Sequence, residues 1–303
     1  MSNIKLTNDN YFSPSANQAY FSVSQFKAFQ KCEAAAMAEL RGEFTSPKGR
    51  ALLLGSYFDE MLTGTPNSQA KFIAENYTEL FQKTSKMSTA LGKLKNDKER
   101  KDFISGLTNI FSVDNKPFAD VVQANETLER FRQQPRMMHY ISGKHQVIMT
   151  GEIEGVPFKI KMDSYDPNEF ICDLKYMASL RSPNLFTPMI EYYGYDIQAA
   201  VYQEIVRQNI GKRLPFIFDV ATKENPAHLA LGEINQYNMD KALDTVRSNI
   251  QRYQKIKTGE LQAERCEDYG CDYCTTTKIV EVIDTDLFGM STAQIKGMNG
   301  NIY

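Results

Sequence analysis

Read from the N-terminus, the pattern of apolar and polar positions changes character at about residue 144. Before that point it is helical. Residues 1 to 20 read as an irregular lead-in. A helix is expected from Ser22, which has capping-box spacing with Gln25; it carries Val23, Phe26, Phe29 and Ala36 to Leu40, and Gly42 stops it. A second is expected over about Arg50 to Leu62, closed by Thr63-Gly64-Thr65-Pro66. Residues 67 to 135 read as several helices with polar joints, and the basic run from Lys83 to Lys101 lies among them, a solvated helix or a grip on a DNA backbone.

From 144 onward strands are expected at Gln146 to Thr150, Val156 to Asp163 and Phe170 to Lys175, with turns at Glu154-Gly155 and Asp166-Pro167-Asn168. In the second strand Phe158, Ile160 and Met162 alternate with Lys159, Lys161 and Asp163, a period of two. An amphipathic helix over about Pro188 to Asn209, a fourth strand over Phe216 to Ala221 and a long helix over Asn238 to Ile256 complete the series. Three consecutive strands, a helical crossover and a further strand predict an α/β fold with one mixed central sheet flanked by helices and a helical N-terminal extension. We expect one domain over 1–303: a helical part at about 20–135, a sheet core at about 144–235, and a helix with a cysteine-containing tail at 236–303.

Composition changes this picture little. The 303 residues are 42% hydrophobic and 24% charged, ordinary for a globular chain. A net charge of -2 neither favours nor excludes nucleic acid, since phosphate binding depends on where Lys and Arg sit. No apolar run approaches bilayer length and Met1 to Asn10 carries no apolar signal segment, so a cytoplasmic protein is expected. Five cysteines in a chain this long do not make a disulfide scaffold, and their cluster reads first as a metal site.

The chemistry concentrates on the second and third strands. Asp173 and Lys175 are two apart and share one face, while Cys172 and Leu174 point the other way. The hairpin brings Asp163 beside them. Two carboxylates can hold a magnesium ion, which polarises a phosphate and activates water, and a lysine can orient that water and offset developing charge. A lone D-x-K string is more often a surface ion pair. Here the apolar lead Phe170-Ile171-Cys172 predicts a buried strand, where a charge without a role is expensive. Gln198 and Tyr202, four apart, share a face of the following helix. Lys159 and Lys161 alternate onto the face of Asp163 and are candidates for DNA contact.

Asp163, Asp173-Leu174-Lys175 and Gln198-x-x-x-Tyr202 together resemble the motif series of PD-(D/E)xK nucleases of the RecB and exonuclease VIII type. Phage-encoded exodeoxyribonuclease VIII-like proteins are similar along nearly the whole chain, through Ser22 to Phe26, Ala51 to Asp59, Gln146 to Asp163, Ile171 to Lys175, Tyr195 to Tyr202 and Cys271 to Cys274. The resemblance implies that Asp163, Asp173 and the Leu174 backbone carbonyl bind Mg2+ or Mn2+, that Lys175 is the catalytic lysine, and that Gln198 and Tyr202 face the site. Gly55-x-x-x-Asp59 matches a position where exonuclease VIII has glycine and then histidine, which makes Asp59 a further metal ligand with Glu60 as competitor. Glu152 is a weaker candidate. The implied activity is exonucleolytic resection of double-stranded DNA ends for phage recombination in a bacterial host, beside a single-strand annealing partner, by a homo-oligomer.

Cys266, Cys271 and Cys274 fall close together, and Cys32 can supply a fourth thiolate from far away in sequence. Four thiolates suit an iron-sulfur cluster or structural zinc, and plain thiols are the alternative. RecB-type nucleases with one early and three late cysteines resemble this arrangement, which implies a 4Fe-4S cluster. Cys172 reads as a core residue, and His139, His145 and His228 have no metal-like spacing. Two other functions stay open: an iron-sulfur nuclease acting on single strands, and a DNA-binding or assembly module that has lost catalysis.

Overall fold

In the computed structural model the described residues are 4–45, 49–82, 93, 116–180, 190, 192–266 and 270–278. The N-terminal helices are α1 (Pro14–Ala19), α2 (Val23–Lys31), α3 (Glu33–Arg41), α4 (Arg50–Thr63), α5 (Pro66–Glu75), α6 (Tyr77–Leu80), α7 (Ala119–Arg132) and α8 (Pro135–Ile141). Then come β1 (Lys144–Ile153), β2 (Val156–Asp166), β3 (Phe170–Met177), α9 (Tyr195–Ile210), β4 (Phe216–Thr222), β5 (Leu229–Glu233), α10 (Gln236–Thr258) and α11 (Asp272–Thr277). Most of the basic run from Lys83 to Lys101 lies outside the described residues.

Three differences from expectation stand out, besides α11 in the tail and the start of α9 at Tyr195 in place of about Pro188. The lead-in contains α1, capped by Ser13, whose hydroxyl accepts from the Ala16 N–H, with Pro14 in its first turn. The helix expected to run unbroken from Ser22 past Ala36 is divided at Cys32, which is extended at φ -162° and ψ 109°. The alanine-rich stretch after Cys32 keeps helical periodicity, so nothing in the pattern marks the break. β5 was not expected; it is short and pairs only with β4.

The sheet runs in the order β1-β2-β3-β4-β5. Every pair is antiparallel except β3 with β4, which are parallel and joined across α9. One face packs against α2, α3, α9 and α10 through Phe158, Ile160, Met162, Ile171, Phe216 and Phe218. On α10 the buried Met239, Leu243, Val246, Ile250 and Tyr253 follow the alternating four- and three-residue spacing of one helical stripe. The other face, with Cys172, Leu174, Tyr176, Ile217 and Ala221, packs against Leu54, Phe58, Leu128 and Phe131 of α4 and α7. Phe58 has no exposure and stacks on Tyr176 at 4.4 Å, which fixes the rotation of α4 and therefore the aim of its neighbour Asp59.

β2 and β3 pair only between Ser164–Asp166 and Phe170–Cys172 and then part. Beyond the fork, β2 takes a different neighbour: the Phe21 N–H donates to the Pro157 carbonyl and the Lys159 N–H to the Phe21 carbonyl, both at 2.8 Å. Backbone groups of β3 at the fork are thereby released from the ladder. Among the described residues no helix is long and apolar enough to cross a membrane.

Candidate active site

The fork is where the candidate residues meet. The Leu174 N–H, freed from pairing with β2, donates to Asp163 Oδ2 at 3.0 Å and so orients that carboxylate. Cys172, Leu174 and Tyr176 turn to the α4 side, leaving Asp173 and Lys175 facing α9. Lys175 Nζ lies 2.5 Å from Asp173 Oδ2 and donates to Gln198 Oε1 at 3.1 Å. Gln198 Nε2 donates in turn to Asp173 Oδ1 at 2.5 Å. One amide thus braces both the carboxylate and the ammonium. Tyr202, one helical turn later, donates to the Lys161 carbonyl at 3.0 Å and holds β2 rather than a carboxylate.

Asp59 comes from α4. Its Oδ1 accepts from Thr63 Oγ1 at 3.0 Å and its Oδ2 from Gln146 Nε2 at 3.4 Å. Burial pushes its carboxyl up to about 6, with Asp173 and Glu60 adding to the rise. The Asp163 carboxyl is raised well above the usual range by burial, then by Asp173 and Asp59. Three acids crowded at the fork repel one another, the condition that a bound divalent cation relieves. Lys175 responds in the opposite sense. Burial works against its charge, but Asp173 and Asp163 outweigh that and raise its pKa, so it is an ammonium at neutral pH.

Other expected residues lie elsewhere. Lys159 is not on the surface: it is 1% exposed, and its ammonium is held by the Tyr11 carbonyl and Asn17 Oδ1. Alternation along β2 gives its face but not the segment that covers it. Lys161 stays at the fork, half-buried over the Phe12 ring at 4.7 Å, with burial lowering its pKa and Asp163 and Asp59 opposing that. Glu60 Oε1 is buried against Gly64, so of the two acids it is Asp59 that acts on Asp163. Glu152 is exposed at the far end of β1, opposite Pro157.

Some residues at the fork were missed. Gln146 reaches Asp59 from a left-handed backbone at φ 53°, a conformation costly for glutamine and found where geometry is enforced. Lys27 of α2 donates to the Tyr193 carbonyl at 2.9 Å, and its pKa is lowered by burial and by Lys175. Its stem crosses Gly194, which has φ 61° and where an added Cβ would meet Lys27 Cδ at 2.7 Å. The Lys175 ammonium sits 4.8 Å from the centre of the Tyr195 ring. Tyr193 stacks on Tyr195 at 5.5 Å, and Tyr192, 82% exposed, meets Tyr193 edge-on. Tyr195 lies three residues before Gln198, a helical spacing that could have marked it; Lys27 and Gln146 carry no such signal.

A second cluster lies where Cys32, between α2 and α3, meets Cys266, Cys271 and Cys274 of the tail, with all four sulfurs within 4.8 Å of one another.

A family model described as a PDDEXK-like domain of unknown function (DUF3799) matches residues 22–277. The crystal structure of a "Putative exonuclease" from Eubacterium rectale is similar at 34% identity and a TM-score of 0.76, over 99% of this chain and 100% of that one. No curated protein matches the chain.

Proposed function

Because the chain belongs to the PDDEXK-like family DUF3799, we propose that its carboxylate and lysine site hydrolyses DNA phosphodiesters with a divalent metal and works from duplex ends. The observation that carries this reading is the convergence of Asp59, Asp163, Asp173 and Lys175 at the fork between β2 and β3. The description of the Eubacterium rectale neighbour supports the exonuclease mode.

Asp163 and Asp173, with Asp59 and the Leu174 carbonyl, are the oxygen donors for Mg2+ or Mn2+, a set suited to a hard ion. Such an ion supplies polarisation of the phosphate and a lowered pKa for the attacking water. Lys175 points its ammonium at the same spot, where it orients that water and offsets charge on the phosphate oxygens. Gln198 keeps Asp173 and Lys175 in register. Lys161 and Lys27, at the edges of the fork, meet the DNA backbone, and the exposed rings of Tyr192 and Tyr193 receive a base from the end of the strand. We read the chain as one catalytic domain that resects duplex ends into single-stranded tails for a strand-annealing partner, as a homo-oligomer in the cytoplasm of a bacterial host during phage recombination.

The test is digestion of end-labelled linear and covalently closed circular DNA with magnesium, manganese or EDTA, comparing wild type with Lys175→Ala. Metal-dependent loss of linear DNA alone, absent in the variant, is expected. Cutting of closed circles would replace the exonuclease with an endonuclease. No cleavage by folded, metal-supplied wild type would leave a DNA-binding module.

A further inference from the structure

The four cysteines take no part in the proposed hydrolysis. Cys32 Sγ lies 3.6 Å from Cys274 Sγ, and Cys266 Sγ lies 3.7 Å from Cys274 Sγ. Four thiolates set tetrahedrally around one zinc at a bond length of about 2.3 Å stand about 3.8 Å apart. In a four-iron cluster each thiolate binds a different corner of a cube, so an iron-iron edge also separates the sulfurs and spreads them well beyond contact. The arrangement here is the compact kind. The 4Fe-4S cluster implied by the likeness to RecB-type nucleases therefore does not fit these sulfurs. The spacing within the tail, four residues between Cys266 and Cys271 and two between Cys271 and Cys274, falls in the range of structural zinc ligands.

We propose that Cys32, Cys266, Cys271 and Cys274 hold a single, structural zinc ion that clasps the C-terminal tail to the junction of α2 and α3. The surroundings are those of a clasp. The Ala34 N–H donates to the Glu264 carbonyl at 3.0 Å, and the Glu264 N–H to Glu33 Oε2 at 2.9 Å. Arg252 of α10 pairs with Glu33 at 2.7 Å and with Glu264 at 2.8 Å. Arg265 donates to the Cys274 carbonyl at 2.8 Å, and Phe44 meets Tyr273 edge-on at 5.5 Å. Cys32, Cys271 and Cys274 are buried, and all four positions of a tetrahedral ion are filled by thiolates, which leaves no open position for catalysis.

The measurement is metal and acid-labile sulfide content of the full-length chain purified without oxygen. One zinc per chain, no sulfide and no visible colour are expected. Replacement of the zinc by cobalt should give the intense thiolate charge-transfer bands of a tetrahedral site. Cys266→Ser, at the exposed position, should weaken metal retention while the chain still folds, and stripping the ion with a thiol-reactive mercurial should open the tail to protease. Iron in the cluster, with or without sulfide, or a folded chain that holds no metal there, overturns the proposal. None of these readouts depends on nuclease activity, so its failure and failure of the catalytic reading are separable.

Discussion

Lys175 Nζ stands 2.5 Å from Asp173 Oδ2, two positions along one strand, and a single amide, that of Gln198, bridges the pair from the opposite helix. The ammonium is thereby fixed beside the carboxylate cluster. Replacing it by Lys175→Met should reduce cleavage by about 10²–10³-fold, the range seen when one preorganised charge-stabilising donor is removed. Single-turnover rates at saturating metal check this, with DNA affinity in EDTA as the control for folding.

Asp59 and Glu60 are adjacent on α4; Asp59 raises the Asp163 carboxyl, while Glu60 Oε1 is buried against Gly64. Asp59→Asn should raise the magnesium concentration needed for half-maximal cleavage by about tenfold or more, the loss of one charged ligand being worth more than about 1.4 kcal/mol. Glu60→Gln should leave it unchanged. Magnesium should also raise the melting temperature of the uncut wild type, since it binds only the folded site, and Asp163→Asn should remove that shift. Equal metal titrations for the Asp59 and Glu60 variants would reject the assignment.

Asp219, on β4 opposite Leu174, is wholly buried, and burial raises its carboxyl from 3.8 to about 8. The folded chain keeps a proton there that the unfolded chain releases. The stability it contributes is present below about pH 4 and is lost as pH rises toward about 8. Asp219→Asn, which mimics the protonated acid, should gain melting temperature relative to wild type as pH increases through this window. Thermal melts at several pH values, with magnesium held constant, decide it; parallel curves would sink the idea.

Lys159 and Lys161 are two residues apart and should behave differently. Lys159→Met removes a buried ammonium from its two partners, so it should lower the melting temperature and leave the salt dependence of DNA binding unchanged. Lys161→Ala should weaken binding and reduce the slope of log affinity against log salt by about 0.9, one phosphate contact on duplex DNA. Anisotropy titrations in EDTA at several salt concentrations separate the two.

Tyr193 stacks on Tyr195, whose ring faces the Lys175 ammonium. If it receives a base, Tyr193→Ala should weaken binding of single-stranded or frayed ends by about 1–3 kcal/mol and leave internal duplex binding alone. Quenching of 2-aminopurine at the terminal position should fall in parallel. Unchanged quenching would remove the ring from the substrate path.

Most of the sheet was readable because β2 alternates, β3 opens on an apolar run and turns separate the strands, and the carboxylates and lysine followed from that register. What stayed hidden depends on chain segments that meet late. Nothing in β2 says that residues 11 to 17 fold over Lys159, and nothing near Gln146 says that its side chain reaches α4. The break at Cys32 is invisible because the residues on both sides are good helix formers; the thiol cluster across the fold is its evident use. α1 could have been found from Ser13-Pro14, a cap followed by a first-turn proline.

Cys32 and Cys274 are 242 residues apart in sequence. At a ribosomal rate of about 5–20 residues per second, the early thiol exists on the order of ten to fifty seconds before its last partner is made. The same delay applies to Phe26 and Phe29, whose rings pack on Tyr253 of α10. The first helices therefore leave the ribosome with a sticky face uncovered. Their final seating is a late event of birth, reached only after Tyr253 and Cys274 have emerged.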